Sequence, residues 1–534
     1  MRYNYQNFKW WWIIDMTLIL LMVLYVSVVA DRSTPRYRFS GDEADYMYAA
    51  NKGIWANYSD TPSIGFATFV HQGIEKGRKT DQRNSLSEYI READDINLYR
   101  HFHGPLYFYL LSIVEFVAHD NERNLRLASV ICFCAGILAI YVSALLLPWH
   151  SDVSTRRLMA WFAAWIFALS PLLLETAIQI SPHILYAVMS FVSMAALARY
   201  TQSRSTRVLI LGAVFLAFAI MTIEYAVLLC LTYVICLYVD GRQNGYPLKS
   251  LCIDLLKVCG VVIFVIICLW PAGIFKLSLV KNYLFFAYFA IERGGWCRMQ
   301  KMGNIWTDRF MASPMESLVL LIGICAGMYF LYKKEWTLMP FVLHTAFVFI
   351  TTFRNGSSNP TYISSILPPL FLLATIALSM LLERKSRIIL VTATISILVA
   401  SCLSVINNPI ILRIITPGVS SFDLIVNYLN EHKAQVNTPI AVPVGYLSGL
   451  HYYFPKLLHK QYRQPEELKE LITNGRVKSY LATEKISKQV IGHIKTDAPI
   501  QQERILLDKE GYLILVTWDD MTWKEDGSLK IMSW

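Results

Sequence analysis

Apolar runs long enough to cross a bilayer recur along this chain, and short basic clusters separate them. "WWIIDMTLILLMVLYVSVVA" (11–30) and "LVLLIGICAGMYFLY" (318–332) are two of them. A lipid environment leaves few options for such runs: every backbone N–H and C=O must be satisfied within the segment, which makes them helices. Composition agrees. Of 534 residues, 55% are hydrophobic and only 16% charged, against about 25% charged in a soluble protein. Apolar spans are read near 11–30, 127–147, 158–172, 184–199, 207–222, 224–239, 258–271, 315–332, 336–353, 362–382 and 387–405. The fold class is therefore a mostly α, polytopic membrane protein of about eleven transmembrane helices. The first run is too long for a secretory signal core, and no small-residue cleavage site follows it. It reads as a retained helix.

Residues 207–239 are split in two because a single helix would be roughly 50 Å long, well beyond a ~30 Å hydrocarbon core. It would also place Glu224 in mid-membrane. The basic loops "HSDVSTRR" (150–157), "RYTQSRSTR" (199–207), "DGRQNGYPLK" (240–249), "KKE" (333–335) and "ERKSR" (383–387) then all fall on the side of the N-terminus, which the positive-inside rule makes cytoplasmic. The opposite face receives a long loop at 31–126, the loop at 172–183, Glu224, a loop at 272–314, a loop at 354–361 and the tail. Within the first loop "HGPLYFYLLSIVEFVAH" (103–119) is too short to span and reads as an amphipathic helix in the interface.

The net charge of +10 sits in these orienting loops and does not point to nucleic acid. The cysteines lie mostly within apolar runs, as small hydrophobes; no CxxC pair or His/Cys ligand spacing occurs, so neither a disulfide framework nor a zinc site is indicated. The tail changes character. "TPIAVPV" (438–444), "VKSYLAT" (477–483) and "RILLDKEGYLILVTW" (504–518) read as strands, and "SFDLIVNYLNEHK" (421–433) and "PEELKELITNG" (465–475) as helices. Two domains follow: a membrane domain at 1–405, including the outer loop 31–126, and a small soluble α/β domain at 406–534 on the outer, extracytoplasmic face.

One stretch in the first outer loop is chemically unusual. "FSGDEADYMYAANKG" (39–53) places Asp42, Glu43 and Asp45 within four positions, beside Tyr46. Ser40 and Glu43 have capping-box spacing, and acids in a first helical turn favour the dipole. That explains Glu43 but not Asp42 and Asp45, like charges sharing one face. Repulsion tolerated at a membrane surface points to a third party: a metal ion, a cationic side chain or a proton being moved. On the same side fall Glu175, Gln179 and His183 of "LLLETAIQISPH", Arg100, His101 and His103 of "YRHFHGPLY", and Arg123 and Arg126 of "NERNLRLAS".

These segments resemble the GT-C membrane glycosyltransferases, in particular the branch of protein O-mannosyltransferases, the aminoarabinose transferase of lipid A and the rhizobial core transferases. "GDEADYMYAA" is similar to their acidic DE motif. "HFHGPLYFYLL" is similar to "H/K-P-P-L-Y-Y", with Gly104 in place of the first proline. "NLRLAS" is similar to "R-x-x-S", and "SPH" to the second outer loop, with His183 after the proline. "NPTYISSILPPL" is similar to "R-Y-x-x-P-x-x-P", with Thr361 where arginine is usual and Tyr362 following it. Glu224 stands in a turn where relatives commonly carry lysine. The 272–314 loop, with six Lys and Arg against two acids, is a candidate replacement for these cations.

The resemblance implies transfer of a sugar, hexose or pentose, from a polyprenyl-phosphate donor to an acceptor hydroxyl on the extracytoplasmic face. The acceptor would be a glycolipid such as lipid A or lipopolysaccharide core, an envelope glycan or a protein. The expected setting is a bacterial inner membrane, N-terminus cytoplasmic and C-terminal domain periplasmic. Asp42 is the candidate base, with Glu43 beside it as catalytic candidate. Asp45, Tyr46, His103, Arg126, Glu175, His183, Arg354 and Tyr362 are candidate substrate-binding residues. The resemblance is divided on metal dependence: Mg or Mn is a candidate ion, with Asp45, Glu175 and His183 as candidate ligands, and no organic cofactor is expected. Direct displacement would invert the anomeric centre. Two alternatives stand beside this. A transporter would carry acids inside its spans and paired broken helices, and the spans here are almost free of charge. A lipid-linked sugar polymerase or ligase of the other GT-C branch would lack the acidic first-loop motif.

Overall fold

The computed structural model describes residues 5–33, 38–39, 42–51, 103–118, 122–147, 153–275, 313–355 and 360–382. In the tail it describes 440–443, 459–462, 465–477, 479–494, 501–507, 511–517, 521–523 and 529–531, with a few isolated positions besides. The expected span at 387–405, most of the first outer loop and nearly all of the 272–314 loop lie outside these residues. The chain divides into two compact units: Met1–Pro35 with Lys52–Thr416, and Arg36–Asn51 with Pro417–Trp534. The boundary so drawn falls eleven residues beyond the expected one, and it groups the acidic stretch with the tail.

The helices in chain order are α1 (Tyr5–Ser33), α2 (Asp42–Ala50), α3 (Leu106–Ala118), α4 (Glu122–Leu146), α5 (Val153–Ala168), α6 (Pro171–Ala177), α7 (Pro182–Ser203), α8 (Thr206–Ile220), α9 (Val227–Gln243), α10 (Leu248–Leu269), α11 (Pro271–Phe275), α12 (Pro314–Tyr332), α13 (Met339–Asn355) and α14 (Leu367–Leu382). All but α2 lie in the first unit. Stretches within α4, α7 and α10, and α9 and α14 with their preceding 3-10 turns, are long and apolar enough to cross a membrane. The pair α5 and α6 is bent by 57° at its break. Each of the first ten expected spans coincides with a helix.

Three local features have physical causes. First, α10 begins ten residues before the apolar run at 258–271, because its first turns carry Asp254 and Lys257. Asp254 is buried, accepts from the Tyr200 hydroxyl at 2.5 Å and takes Lys257 Nζ at 3.3 Å. Second, the stretch read as a loop at 172–183 contains α6, started by Ser170 as N-cap and Pro171 at its first position. Third, α8 stops at Ile220 and Glu224–Ala226 form a 3-10 turn before α9. The break falls where the sequence reading divides 207–239. At 13 residues, α3 is about 20 Å long and too short to span. Its first turns bury Tyr107, Phe108 and Leu111, while its far end exposes Ile113, Phe116 and Val117.

Buried charges of the helices are matched. Asp15 of α1 accepts from Arg157 Nε at 3.0 Å and from the Trp161 indole at 3.1 Å, both on α5. Past the end of α7, Arg204 caps the helix in a left-handed conformation (φ 51°). It pairs with Asp240 of α9 and lies 4.1 Å over the Tyr246 ring. In so apolar a medium an unpartnered charge would cost several kcal/mol.

The second unit carries a five-stranded sheet of β1 (Ile440–Pro443), β2 (His459–Tyr462), β3 (Ser479–Thr483), β4 (Gln501–Leu507) and β5 (Gly511–Thr517), in the order β2-β1-β3-β5-β4. β1 is parallel to β2 and β3; β5 is antiparallel to β3 and β4. A separate hairpin joins β6 (Met521–Trp523) and β7 (Leu529–Ile531). Helices α15 (Pro465–Thr473) and α16 (Glu484–Val490) pack on the sheet through Leu468, Ile472 and Val490 against Ala441, Tyr462 and Tyr480. After α15, Gly475 takes φ +63°, a conformation that favours glycine at a helix end. Burial raises the Tyr480 phenol above its ordinary value, so it bonds Ser487 Oγ, 3.1 Å away, as a neutral group.

Candidate active site

In the first unit, four of the motif segments meet at one end of the helices. Ser181 is the N-cap of α7, with Pro182 at its first position, so the "SPH" tripeptide starts a helix and sets His183 in its first turn. Ser129, the serine of "R-x-x-S" on α4, is buried and lies 2.5 Å from the hydroxyl of Tyr107, the tyrosine of "GPLY". Both accept from the Ser181 amide, Tyr107 at 2.9 Å and Ser129 at 3.2 Å. Two motif hydroxyls thus satisfy an amide just before a helix begins, and α3, α4 and α7 are tied at one point.

The same geometry delivers His103. Gly104 lies against the main chain of Met221 so closely that a Cβ would overlap it, and Leu106 N–H donates to Met221 C=O at 2.9 Å. The 103–106 segment is therefore zipped to the end of α8. Three residues after Met221, Glu224 meets His103: Nδ1 and Oε2 are 2.8 Å apart, and both side chains are more than nine-tenths buried. The His103 ring stands edge-on to His183 with centroids 6.2 Å apart; His183 is edge-on to Tyr362 at 5.5 Å, and Tyr362 is 5.6 Å from Tyr225. The Ser364 hydroxyl, two residues past Tyr362, donates to the His183 carbonyl at 3.4 Å.

Of the substrate-binding candidates, His103, His183 and Tyr362 are thus brought together. Glu224 and Tyr225 join them and were not among the candidates; an acid in an otherwise uncharged apolar run was the signal for Glu224. Arg126 lies in the first turns of α4 and is fully buried, while Glu175 is partly exposed on α6. Arg354 lies at the end of α13, its side chain outside the described residues. Among the described residues no three His, Cys, Asp or Glu side chains gather to hold a metal ion.

The acidic residues belong to the second unit. α2 opens with Asp42, Glu43 and Asp45 in its first turn, where their charge suits the helix dipole. Asp42 is exposed, Glu43 half-buried, and Asp45 and Tyr46 buried. Ser40, the expected cap, lies outside the described residues. The segment leading into α2 is held by the tail. Arg38 N–H donates to Asp423 Oδ1 and Phe39 N–H to the Tyr453 hydroxyl, each at 2.9 Å. The Arg38 guanidinium also lies over the Tyr453 ring at 5.6 Å.

Residues 102–270 match the dolichyl-phosphate-mannose-protein mannosyltransferase family, a stretch that holds His103, Arg126, Ser129, His183 and Glu224. No curated protein sequence matches the chain. Among solved structures the chain is similar to ArnT from Cupriavidus metallidurans in the apo state, at 12% identity over 94% of this chain and 98% of that one, with a TM-score of 0.59. It is similar to the same protein bound to undecaprenyl phosphate, at 12% identity, 93% and 97% coverage and a TM-score of 0.57. It is also similar to the oligosaccharyltransferase of Archaeoglobus fulgidus in the apo form, at 11% identity, 91% and 69% coverage and a TM-score of 0.55. At these identities the structural likeness is one of fold, and together with the family match it shows that this membrane protein resembles the GT-C superfamily of glycosyltransferases.

Proposed function

We propose that this protein transfers one sugar from a polyprenyl-phosphate carrier to an acceptor hydroxyl on the extracytoplasmic face of a membrane, most naturally the bacterial inner membrane. The observation that carries the reading is the meeting of the motif segments around His103, His183 and Tyr362, in a fold shared with a protein solved with undecaprenyl phosphate. A lipid-linked donor suits a membrane enzyme because its tail stays in the bilayer while its sugar and phosphate sit at the interface.

Displacement at the anomeric carbon needs a base for the acceptor proton, cations for the leaving phosphate, and an ordered sugar. Asp42 is the assigned base, a role worth about 10²–10⁴ in rate, with Glu43 adjacent and Asp45 and Tyr46 supporting the acceptor. Arg126 and Arg354, with the basic 272–314 loop, are assigned to the phosphate; preorganised charge of this kind is often the largest catalytic contribution. Attack from the side opposite the phosphate inverts the anomeric centre. Of the candidate ligands for a divalent Mg or Mn ion, Asp45 is the one in the α2 stretch, with Glu175 and His183 as the others. The acceptor class in this reading is a cell-envelope glycolipid, glycan or protein, and the tail faces the periplasm. The test is the binding of undecaprenyl phosphate to purified protein by native mass spectrometry. Saturable retention, weakened by Arg126→Ala, supports the reading; equal retention of a neutral lipid of the same length contradicts it.

A further inference from the structure

In the sheet of the second unit β1 lies between β2 and β3, and all three are parallel. The strand order reverses there. At such a point an open α/β sheet keeps its ligand, in the crevice outside the carboxyl ends of the strands. The connection that leaves β1, residues 444–458, holds Gly449 and Tyr453. What it holds on to is the chain itself. The Tyr453 hydroxyl accepts from the Phe39 amide, and Asp423 Oδ1, from the segment before β1, accepts from the Arg38 amide, each at 2.9 Å. Both amides lie in the stretch that leads into the acidic helix α2.

The holder is itself well fixed. Phe422, buried beside Asp423, has its ring centroid 6.0 Å from that of Tyr453, and it lies so close to Gly449 that a Cβ there would overlap the ring. Phe454 N–H donates to Leu450 C=O at 2.8 Å, closing the turn that carries Tyr453. The same tyrosine ring lies 5.6 Å from the Arg38 guanidinium, and Phe39 is buried. From Phe39 to Asp42, the first residue of α2, there are three residues, at most about 10 Å of chain. A shift at Phe39 therefore reaches the acid with little slack to absorb it. A grip on main-chain amides also fixes where the segment runs whatever its side chains do. We propose that the tail is the positioning domain of the acid: Tyr453 and Asp423 are positioning residues that act through the amides of Phe39 and Arg38 to set where α2 begins and so where Asp42 stands. This rests on the reading of Asp42 as the base of a sugar transferase, and it names the residues that place that base.

The test pairs substitutions that remove an acceptor with one that keeps it. Tyr453→Phe removes only the hydroxyl, and Asp423→Ala removes the carboxylate. Asp423→Asn retains a side-chain carbonyl that can accept from the Arg38 amide. The full-length protein in membranes is assayed for transfer of radiolabelled mannose, glucose or galactose from short-chain polyprenyl phosphates. Tyr453→Phe and Asp423→Ala should each lower kcat several-fold at unchanged donor KM, and Asp423→Asn should restore most of it. At the residual rate of Asp42→Asn, Tyr453→Phe should have no further effect, since it acts only through that carboxylate. In the Arg126→Ala background its loss should persist in full, as for independent sites. Hydrogen exchange at the Phe39 amide, read on the purified protein, should be faster in Tyr453→Phe. A raised donor KM with unchanged kcat, an undiminished loss in the Asp42→Asn background, Asp423→Asn as impaired as Asp423→Ala, or unchanged exchange would overturn the assignment. Absence of transfer by the wild type from any such donor would instead count against the transferase reading, and the exchange rates would judge the grip of the tail on its own.

Discussion

Gly104 passes over the main chain of Met221 with no space for a Cβ, and this contact holds His103 within hydrogen-bond distance of Glu224. A methyl group at Gly104 meets backbone, which cannot swing aside as a flexible side chain can. Gly104→Ala should therefore separate the 103–106 segment from the end of α8. Overpacking of this kind costs about 1–3 kcal/mol. The expected outcome is a lower melting temperature together with loss of sugar transfer, read by thermal unfolding in detergent and by a transfer assay on the same preparation. Wild-type behaviour in both would show that the segment relaxes freely and that the register is not fixed here.

Ser129 and Tyr107 serve one amide. Removing either hydroxyl leaves the buried Ser181 N–H with one acceptor instead of two, and each loss should cost about 0.5–1.5 kcal/mol. Because each hydroxyl still serves the amide when the other is gone, Ser129→Ala and Tyr107→Phe should couple: the double variant leaves the buried amide with neither acceptor and should lose more than the sum of the singles. Melting temperatures of the three variants decide it, and strict additivity would mean that the contacts are independent.

Asp423 and Tyr453 bond to consecutive amides, Arg38 and Phe39, just ahead of the acidic helix. Tyr453→Phe removes only the hydroxyl. Hydrogen exchange at Phe39 should speed up, and kcat should fall several-fold with little change in donor KM, because what is loosened is the acid and not the donor contacts. Asp423→Ala should do the same for the Arg38 amide. Unchanged exchange at both amides would remove the tail from any role in holding the acidic segment.

Arg126 is fully buried in the first turns of α4, where a guanidinium is costly unless it is matched. A charge-assisted contact to phosphate contributes roughly 1.5–3 kcal/mol, ten- to a hundredfold in binding or rate. Arg126→Ala and Arg354→Ala should each weaken donor use by that factor at constant expression, measured as kcat/KM for the polyprenyl-phosphate sugar. Full activity of both would move the phosphate to other cations.

The helices were legible because a bilayer admits few other structures, so an apolar run of the right length is already a statement about backbone hydrogen bonding. The start of α10 was not legible, because Asp254 and Lys257 interrupt the run and only the tertiary partner Tyr200 explains the acid. His103, His183 and Tyr362 could be named from short motifs. Glu224 was read as a turn residue because its partner lies 121 residues away. Ser129 stood in a motif without a role until its bonds to Tyr107 and Ser181 appeared. The grouping of α2 with the tail rests partly on backbone amides bonding to side chains some 385 and 414 residues away, and a backbone donor has no signature in sequence.

The central claim is that a carboxylate at Asp42 drives sugar transfer from a lipid-phosphate donor. Asp42→Asn keeps size and hydrogen bonding while removing the base. Glu43→Gln retains a capping partner, since Gln serves equally there. The decisive measurement is mass spectrometry of lipid A, core oligosaccharide and other envelope glycans from cells carrying the wild-type gene, no gene, Asp42→Asn or Glu43→Gln, with protein levels matched. The account predicts that one glycan species loses a single sugar in the deletion, that Asp42→Asn reproduces the loss with activity reduced about 10²-fold or more, and that a purely capping Glu43 tolerates Gln. Glycans of identical mass with and without the gene, or an Asp42→Asn protein that restores the sugar in full, would contradict it.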